Sequence, residues 1–374
     1  MTGRKNEVVK GPASSKTIAI LLGRFGSGGV ERVSCLIANG LAEQGWHVRF
    51  WVSNDTGPAR SLLNEGVRIS SFLFGTWGGR KLRLLLSIPQ IAWQIRRTRP
   101  AVFLSPGNHT HLAAGLAHAL ARCRDVRLVV KLTNPVLKTW HQGARRGMKS
   151  HYYRWLYRRA DQILVLSQES CPEVRAQAGR PVPVKFVHNP YIQARAAVAA
   201  PSAENMPVIL GVGRLSRQKN FGLLLEALAE IQHREWRLVL LGEGPEKDAL
   251  QDRAVALGIA DRVEFAGYVV DPSPHYDRAH FLVLSSLWED LPAVALEAMG
   301  VGCPVVATDC SAALTTLIAA TGFGRVVPVE AGPLAQAMAQ MLDRPLDRTV
   351  PPAVLAYSVA NGVNEHAEAM AALL

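Results

Sequence analysis

Short apolar segments alternate with helix-like segments along the whole chain, and this alternation occurs in both halves of it. Strands separated by helices are typical of parallel sheets that are covered on both faces. We therefore predict an α/β protein with two doubly wound, Rossmann-like domains facing a cleft, where the carboxyl ends of the strands bind ligands. The predicted strands are 17–22, 47–52, 101–105, 127–132 and 162–167 in the first half, and 207–213, 237–242, 262–267, 281–285 and 303–308 in the second.

The chain length and one Ala- and Pro-rich stretch indicate how these strands divide into domains. At 374 residues the chain is long enough for two domains of ordinary size. We predict a first domain over 1–192, a linker over 193–207, a second domain over 208–355, and a C-terminal helix over 356–374 that returns to the first domain. The linker is placed there because that stretch has no convincing strand.

The cysteine, histidine and apolar patterns argue against several classes of protein. The 5 cysteines are scattered without a C-x-x-C pair, and the 11 histidines form no H-E-x-x-H motif. This pattern is typical of reduced thiols and predicts neither disulfides nor a metal site. No apolar run reaches the ~20 residues that span a bilayer, and the polar N-terminus lacks the apolar core of a signal peptide. We expect a cytoplasmic protein that uses no metal and no cofactor.

A glycine-rich turn at 23–32 follows the first predicted strand and leads into a helix. Gly26, Gly28 and Gly29 allow the backbone to approach a ligand closely, and the helix N-terminus favours an anion. The same pattern occurs in ordinary tight turns and in dehydrogenases, which also need G-x-G-x-x-G and an acidic residue after the second strand. Asp55 keeps the dehydrogenase alternative open.

A second loop combines two cations with the start of a helix. Arg214 follows a buried predicted strand, Lys219 comes later in the same loop, and a helix is predicted after Asn220. Two fixed cations beside a helix N-terminus suit a diphosphate group. The alternative is an ordinary solvated basic loop.

Two carboxylates lie before and within a short apolar helix that begins at Pro292. Glu297 is surrounded in sequence by apolar residues, where an unpaired carboxylate would be costly, so it should face donors such as sugar hydroxyls. Glu289 lies just before the helix. Together with the cationic loop, these carboxylates predict a nucleotide-sugar site. The alternative is that Glu297 lies on an exposed helix face and Glu289 only caps the helix.

Three motifs, at 28–32, at 213–220 and from Glu289 to Glu297, occur in order and at domain-sized spacing. They match a GGxER-like loop, a GRLxxQKN loop and an E-x7-E motif. With them, the chain resembles the retaining glycosyltransferases of the GT-B fold, in the branch that acts in bacterial cell-surface polysaccharide and glycolipid synthesis. The similarity extends to 240–245, 302–309 and 324–329.

This resemblance implies roles for the motif residues. Arg214 and Lys219 would hold the donor diphosphate and stabilise it as the leaving group. Glu297 would bind the ribose hydroxyls, and Glu289 would contact the transferred sugar. The first domain would bind the acceptor, stereochemistry would be retained, and no metal would be needed. The implied donor-binding residues are Gly28, Gly29, Gly213, Arg214, Lys219, Glu289, Leu291 and Glu297, and the candidate catalytic residues are Arg214, Lys219, Glu289, Asn134 and His109.

The chain departs from the family pattern after the strand predicted at 127–132. Many relatives have a histidine there, whereas this chain has Asn134. An asparagine can position a sugar hydroxyl but does not act as a base. His109 or His111 is the alternative candidate for a related role.

Positive charge is concentrated in the first half. Residues 1–192 contain 29 Lys and Arg against 9 Asp and Glu, a net of +20, whereas residues 193–374 contain 13 against 21, a net of −8. The segment 138–159 has seven basic and five aromatic residues and no acidic one, which is typical of a helix at an anionic membrane surface. We predict peripheral binding to the inner face of the cell membrane and a lipid-linked or saccharide acceptor, with no nucleic-acid partner. The alternative is an ordinary domain helix with snorkelling cations.

Two other functions fit the same motifs. A nucleotide-sugar 2-epimerase of the same fold would use the carboxylates but would need no basic acceptor surface. A non-catalytic nucleotide-sugar-binding protein would have no reason to keep both cations and both carboxylates. We therefore predict a glycosyltransferase that uses a UDP- or GDP-sugar.

Overall fold

A computed structural model of the protein describes residues 16–26, 28–72, 80–133, 143–193, 206–344 and 348–374. It contains two parallel β-sheets, each packed against helices on both faces. The strands of the first sheet are β1 Thr17–Arg24, β2 His47–Asn54, β3 Arg68–Ser71, β4 Val102–Ser105, β5 Arg127–Lys131, β6 Gln162–Val165 and β7 Val184–Phe186. Their order is β3-β2-β1-β4-β5-β6-β7, and all neighbouring strands are parallel.

The helices of this half connect its strands and cover the sheet. They are α1 Gly29–Glu43, α2 Arg80–Leu86, α3 Ile88–Thr98, α4 His111–Ala121, α5 Gly143–Tyr157 and α6 Ser170–Ala178, with a 3-10 helix at Pro58–Leu62. Helix α1 packs on one face of the sheet, and α3, α4 and α5 pack on the other. The sheet therefore has a separate apolar layer on each side.

The second sheet repeats this architecture. Its strands are β8 Val208–Val212, β9 Arg237–Leu241, β10 Val263–Gly267, β11 Phe281–Leu284, β12 Val305–Thr308 and β13 Gly324–Val327, in the order β10-β9-β8-β11-β12-β13. Its helices are α7 Phe221–Glu230, α8 Lys247–Ala256, α9 Ser273–Arg278, α10 Ala293–Met299, α11 Ala312–Thr321 and α12 Ala331–Leu342, with a 3-10 helix at Ala260–Arg262. A 3-10 helix at Pro352–Tyr357 and helix α13, Val359–Ala371, end the chain.

The strands are buried because they are apolar on both faces. In β1, Ile18 and Ile20 pack in the layer that contains α1, whereas Ala19 and Leu21 pack in the opposite layer. Such near-continuous apolar runs are typical of parallel strands covered on both sides.

The strand order reverses at β1 and β4 in the first sheet, and at β8 and β11 in the second. Ligands of such sheets bind at these reversal points, outside the carboxyl ends of the strands.

The predicted fold class is confirmed, and each predicted strand is present. The strands β3, β7 and β13 were not predicted, and each of them lies at an edge of its sheet. Strand β3 has the polar sequence RISS, and β7 has only 3 residues. An edge strand has a neighbour on one side only, so it needs a weaker apolar pattern than a central strand.

The C-terminal helix packs against the first half of the chain. A Cβ atom added to Gly40 of α1 would lie 2.4 Å from Cγ1 of Val363 in α13, so the two helices are in close contact there. Glu365 accepts a hydrogen bond from the backbone N–H of His188 at 2.8 Å. The return predicted for this helix is therefore present. The predicted linker lies mostly outside the described residues, and its boundaries stay a prediction.

None of the helices in the described ranges has the length and apolar character that crossing a membrane requires. The same residues contain no group of three or more His, Cys, Asp or Glu side chains that could hold a metal ion. All the cysteines are buried as free thiols.

Candidate active site

A cleft of about 1050 Å³ opens between the two sheets. The lining residues between Gly23 and Tyr191 form one wall, which we call the first-half wall. Those between Val212 and Glu297 form the opposite wall, which we call the second-half wall. The lining includes all the predicted donor-binding residues, namely Gly28, Gly29, Gly213, Arg214, Lys219, Glu289, Leu291 and Glu297. The structure therefore brings residues from both halves of the sequence to one place.

The glycine loop lies on the first-half wall, where β1 leads into α1. Gly28 is the N-cap of α1, and a Cβ atom on it would lie 2.5 Å from Oε2 of Glu31. A Cβ atom on Gly29 would have no neighbour within 4 Å. One glycine is thus covered by a carboxylate and the next is open. The N-terminus of α1 suits an anion, but the Glu31 carboxylate already lies over it at Gly28, so a ligand anion would approach at Gly29.

Lys219 lies on the second-half wall, where β8 leads into α7. Its side chain crosses the end of β8 against Gly213, since a Cβ atom there would lie 2.8 Å from Cε of Lys219. Gly213 also has a φ of 152°, which favours glycine. Nζ of Lys219 forms an ion pair with Oε1 of Glu289 at 2.8 Å, and the two side chains are 17% and 11% exposed. The pair is mostly buried and fixes both groups at the cleft.

Hydrogen bonds join the loop of Lys219 to the loop of Glu289. Leu287 N donates to the carbonyl of Gln218 at 2.8 Å, and Nε2 of Gln218 donates to the carbonyl of Trp288 at 2.9 Å. Oγ of Ser286 donates to Oε1 of Glu289 at 3.1 Å. The two motif loops therefore form one rigid unit around the ion pair.

Glu297 projects from the short helix α10 into the cleft, where it is bound from two sides. Nη1 of Arg32, from α1 of the first half, lies 3.3 Å from its Oε1. The hydroxyl of Tyr276 donates to its Oε2 at 2.9 Å. Burial raises the pKa of Glu297, and the charge of Arg32 and the hydrogen bond from Tyr276 oppose that rise. The carboxylate is thus kept near the cleft by two donors that the sequence did not identify as its partners.

Arg214 and Leu291 complete the predicted set on the second-half wall. Arg214 is exposed to the cleft in the loop after β8. Leu291 is buried just before α10. The wall therefore presents one exposed cation, one mostly buried ion pair and one mostly buried carboxylate. Such a set can bind a diphosphate together with sugar hydroxyls.

The proteins that resemble this chain are glycosyltransferases. A family model described as "Glycosyl transferases group 1" matches residues 206–344, and one described as "Glycosyltransferase Family 4" matches residues 27–195. The lipopolysaccharide core biosynthesis mannosyltransferase LpcC of Rhizobium leguminosarum bv. viciae is 31% identical over 250 residues, which cover 63% of this chain and 67% of LpcC. The chain belongs to the group 1 glycosyltransferases.

Other relatives of this glycosyltransferase match over shorter segments. The lipopolysaccharide core biosynthesis glycosyltransferase LpsE of Rhizobium meliloti is 40% identical over 102 residues, which cover 27% of this chain and 29% of LpsE. Several curated relatives are matched over only about a third of their length, 29 to 33%. Among solved structures, Anabaena HepE in complex with UDP has a TM-score of 0.73 at 19% identity, over 96% of this chain and 100% of HepE. This similarity supports the GT-B fold.

Two candidate catalytic residues remain, Asn134 and His109. Asn134 lies outside the described residues. His109 precedes α4 and is not among the described residues that line the cleft. Its neighbour His111 is fully buried and bound through Nδ1 to Oγ of Ser105 at 2.8 Å, and burial lowers the pKa of His111 to about 3. His111 therefore stays neutral and holds α4 on the sheet.

The glycosyltransferase has further polar residues on the first-half wall that the sequence did not indicate. Lys131, Asn189 and Ser53 line the cleft, and all three are buried. Lys131 and Ser53 lie in strands that were recognised only by their apolar character. The one available signal was a lysine at the end of the apolar strand β5, where carboxyl ends of strands meet the cleft.

Helix α5 corrects one part of the membrane prediction. Tyr153 and Tyr157 are buried in the core below the first sheet, and Tyr152 and Trp155 pack partly against it. These rings are not available to a membrane, because α5 uses them to cover the sheet. Residues 138–142 of the predicted segment lie outside the described residues. The exposed basic side chains at the end of the segment are Arg154, Arg158 and Arg159.

Apolar side chains are instead exposed on α2 and α3. Leu82, Leu85 and Leu86 are exposed on α2, as is Trp93 on α3. Arg83 of the same helix α2 lines the cleft. The three exposed leucines of α2 therefore lie on the same helix as a residue of the cleft.

Proposed function

We propose that this protein transfers a sugar from a UDP- or GDP-sugar to a lipid-linked or saccharide acceptor, with retention of configuration and without a metal ion. The proposal rests on one observation. Two cations and two carboxylates on the second-half wall face a glycine loop at a helix N-terminus on the first-half wall. This arrangement provides both charges for a diphosphate and acceptors for sugar hydroxyls.

The cations account for the main catalytic step. When the bond between the sugar and the diphosphate breaks, negative charge develops on the departing phosphate. Arg214 and Lys219 stabilise this charge, and Lys219 does so without needing to reorganise because Glu289 already holds it. Retention would follow from attack on the same face as the departing group, with the phosphate assisting deprotonation of the acceptor.

The carboxylates position the donor. Glu297 accepts hydrogen bonds from the ribose hydroxyls, since each carboxylate oxygen can accept another bond beside those from Arg32 and Tyr276. Glu289 contacts the transferred sugar from its place beside Lys219. Similar solved structures support a nucleotide donor: HepE is described in complex with UDP, with UDP and glucose, and with UDP-glucose.

The acceptor side of the proposal rests on charge and on exposed apolar residues. Relatives act in lipopolysaccharide core biosynthesis, and we propose a related cell-surface acceptor for this chain. The first half has a net charge of +20, and α2 exposes Leu82, Leu85 and Leu86 beside the cleft. Basic residues attract an anionic bilayer, and apolar side chains enter its interface. We propose that this surface holds the enzyme peripherally on the membrane.

Nucleotide binding tests the donor proposal directly. Binding to the folded state raises the melting temperature by mass action, so UDP, GDP and their hexose conjugates should differ in the shift that they produce. We expect one nucleotide series to stabilise the wild type, and Arg214→Ala to lose that shift. Arg217→Ala is the matched control, because Arg217 is exposed in the same loop and does not line the described cleft.

A transfer assay on the matching donor tests the chemistry. We expect the product to keep the anomeric configuration of the donor, as measured by NMR, and a chelator to leave the rate unchanged. Inversion would contradict the retaining mechanism, and isomerised free nucleotide sugar would identify a 2-epimerase. A wild type that no nucleotide stabilises would overturn the proposal.

Vesicle sedimentation tests the membrane surface. Each Lys or Arg near an anionic surface contributes about 1 kcal/mol, so binding to anionic vesicles should decline as salt rises. Reversing Arg154, Arg158 and Arg159 to Glu tests the charge, and Leu85→Asp tests the apolar part. Both changes should release the protein and leave nucleotide binding intact. Wild type that ignores anionic vesicles at low salt would show that the acceptor is soluble.

A further inference from the structure

Lys131 is a buried lysine on the first-half wall that the proposed donor site does not use. It is the last residue of β5, it lines the cleft, and it is 1% exposed. None of the ion pairs formed within the described residues involves it. A buried ammonium group without a counter-charge is strongly unfavourable. A lysine at this position therefore needs a reason beyond packing.

Within the described ranges, the groups around Lys131 do not supply the missing negative charge. The charge of Lys131 acts on His366 of α13, whose pKa is lowered chiefly by burial. Nδ1 of His366 donates to the carbonyl of Gly362 at 2.6 Å, and the ring stays neutral. Lys185 of β7 adds a second positive charge near this ring. Burial lowers the pKa of Lys131 to about 7, so near neutral pH a small change in its surroundings changes its charge.

A second buried polar group on the same wall has an unused hydrogen-bonding atom. Asn189 lines the cleft, and its Nδ2 donates to the hydroxyl of Tyr191 at 2.7 Å. Its Oδ1 is buried and has no hydrogen-bond partner in the described part of the chain. The backbone of Asn189 packs against Gly362, one turn before His366 in α13. Lys131 and Asn189 therefore both border the C-terminal helix where the first sheet meets the cleft.

We propose that Lys131 and Asn189 form an acceptor subsite for an anionic sugar. Lys131 pairs with a carboxylate or phosphate group of the acceptor, and Oδ1 of Asn189 accepts a hydrogen bond from one of its hydroxyls. This inference rests on the proposed function and adds to it the chemical class of the acceptor. The ligand supplies the counter-charge and the donor that the described residues do not provide.

The position of Lys131 favours the acceptor over the donor as the source of the anion. The donor diphosphate is matched by Arg214 and Lys219 on the opposite wall. In the first sheet, β5 lies two strands away from β1, which leads into the glycine loop. Neighbouring strands are about 4.8 Å apart, so the end of β5 lies about 10 Å along the sheet edge from the end of β1.

The charge of Lys131 itself provides the test. Lysine labelled with carbon-13 at Cε reports its own titration by NMR, and the Lys131 signal is identified by its absence in Lys131→Met. The probes are glucuronate and its neutral counterpart glucose, at constant ionic strength, with and without UDP. We expect glucuronate to raise the pKa of Lys131 by about 1 to 3 units, because an adjacent anion favours the ammonium form. Glucose should leave the titration unchanged.

The binding of the same probes to variants supplies the second measurement. Lys131→Met should weaken glucuronate binding by about tenfold or more, the value of a charged hydrogen bond. Its affinity for UDP should stay within twofold of wild type. Lys131→Met should melt no lower than wild type, since it has no charge to bury. If the methionine variant does not fold, Lys131→Gln replaces it in the binding measurement. Lys185→Met is the charge-matched control and should bind glucuronate normally.

The outcomes separate this inference from the proposed function. If glucuronate does not shift the Lys131 titration, or if Lys131→Met binds it like wild type, the subsite is overturned. If UDP alone produces the same shift, the anion belongs to the donor and the acceptor assignment is wrong. If no nucleotide binds, the proposed function fails, and the acceptor assignment fails with it even where glucuronate still shifts the lysine.

Discussion

The two walls of the cleft differ in how their polar groups are partnered. On the second-half wall, Lys219 pairs with Glu289, and Glu297 is bound by Arg32 and Tyr276. On the first-half wall, Oγ of Ser53 and Oδ1 of Asn189 are buried without a partner among the described residues, and Lys131 lacks an ion pair there. The second-half wall is preorganised by contacts that include Arg32 of the first half, whereas the first-half wall has buried polar groups that a ligand could satisfy.

This difference indicates how the two substrates are recognised. A preorganised wall suits a group that every turnover presents in the same way, such as a nucleoside diphosphate, because fixed charges stabilise the leaving group without reorganisation. A wall with unused polar atoms suits a ligand that supplies its own partners, and it rejects ligands that lack them. We therefore propose that the donor is recognised mainly by the second half and the acceptor by the first.

We expect the largest effect on turnover when a cation is removed from the second-half wall. We expect Arg214→Ala and Lys219→Ala each to lower kcat by about 10²- to 10³-fold, the usual result of removing one donor that stabilises a developing anion. Lys219→Ala should also lower the melting temperature, because it leaves the mostly buried Glu289 without its ion pair. Steady-state transfer rates and thermal denaturation measure the two effects.

The control for these variants is Arg217→Ala, which removes an exposed cation from the same loop. It should retain wild-type turnover. If the turnover of Arg214→Ala and Lys219→Ala also stays within twofold of wild type, the second-half wall does not bind the leaving group. The proposed division of the two substrates between the walls would then be wrong.

The next effect separates the two carboxylates of the same wall. Glu297→Gln should weaken binding of the free nucleoside diphosphate by about 10- to 100-fold, since a hydrogen bond to a charged group contributes about 1.5–3 kcal/mol. Glu289→Gln should bind that nucleotide nearly normally and lower turnover instead, because the free nucleotide lacks the transferred sugar. Calorimetric titration of both variants tests the assignment. Equal losses of affinity would contradict the separate roles.

The second-half wall could be predicted from the sequence because its residues lie in short, local motifs. The loop 213–220 needs a glycine, two cations and a helix start close together in sequence, so the pattern is visible without the fold. Glu297 was noticed because a carboxylate in an apolar helix is costly to bury. The candidate residues of this wall are therefore close together in the sequence.

The first-half wall could not be predicted in the same way. Lys131, Asn189 and Ser53 come from separate strands and loops, and only the sheet brings them to one cleft. Tyr153 and Tyr157 show the same limit, because a basic, aromatic helix fits both a membrane and a domain core. Its sequence does not show which face the sheet covers. Contacts between residues distant in sequence decide which residues line the first-half wall and which face of α5 is buried.

A smaller effect tests the ion pair between Arg32 and Glu297, which joins the two walls. Arg32 lowers the pKa of Glu297 against the effect of burial. In Arg32→Met we expect that pKa to rise, so Glu297 becomes protonated at a higher pH than in wild type. In the proposed site the Glu297 carboxylate binds the ribose, so affinity should fall as pH decreases, and this loss should begin at a higher pH in the variant.

Measuring UDP or GDP affinity from about pH 5 to 8 checks this shift against the wild-type profile. Tyr276→Phe is a parallel variant, since the hydroxyl of Tyr276 also lowers the pKa of Glu297. It should move the profile in the same direction. Unchanged profiles in both variants would show that Glu297 does not hold the nucleotide, and the donor site would then be confined to the diphosphate contacts.

We expect the smallest effects on stability and nucleotide binding from substitutions at two adjacent glycines of the first-half wall. In Gly28→Ala, the new Cβ atom would lie 2.5 Å from Oε2 of Glu31, so the carboxylate must move. Glu31 is a flexible side chain, and we expect a loss of about 1 kcal/mol and a fall of a few degrees in melting temperature. Gly29→Ala meets no atom within 4 Å and should melt like wild type, yet it should weaken nucleotide binding if the loop closes on the phosphates. Normal nucleotide affinity in Gly29→Ala would show that this loop does not touch the donor, and that the second-half wall binds it alone.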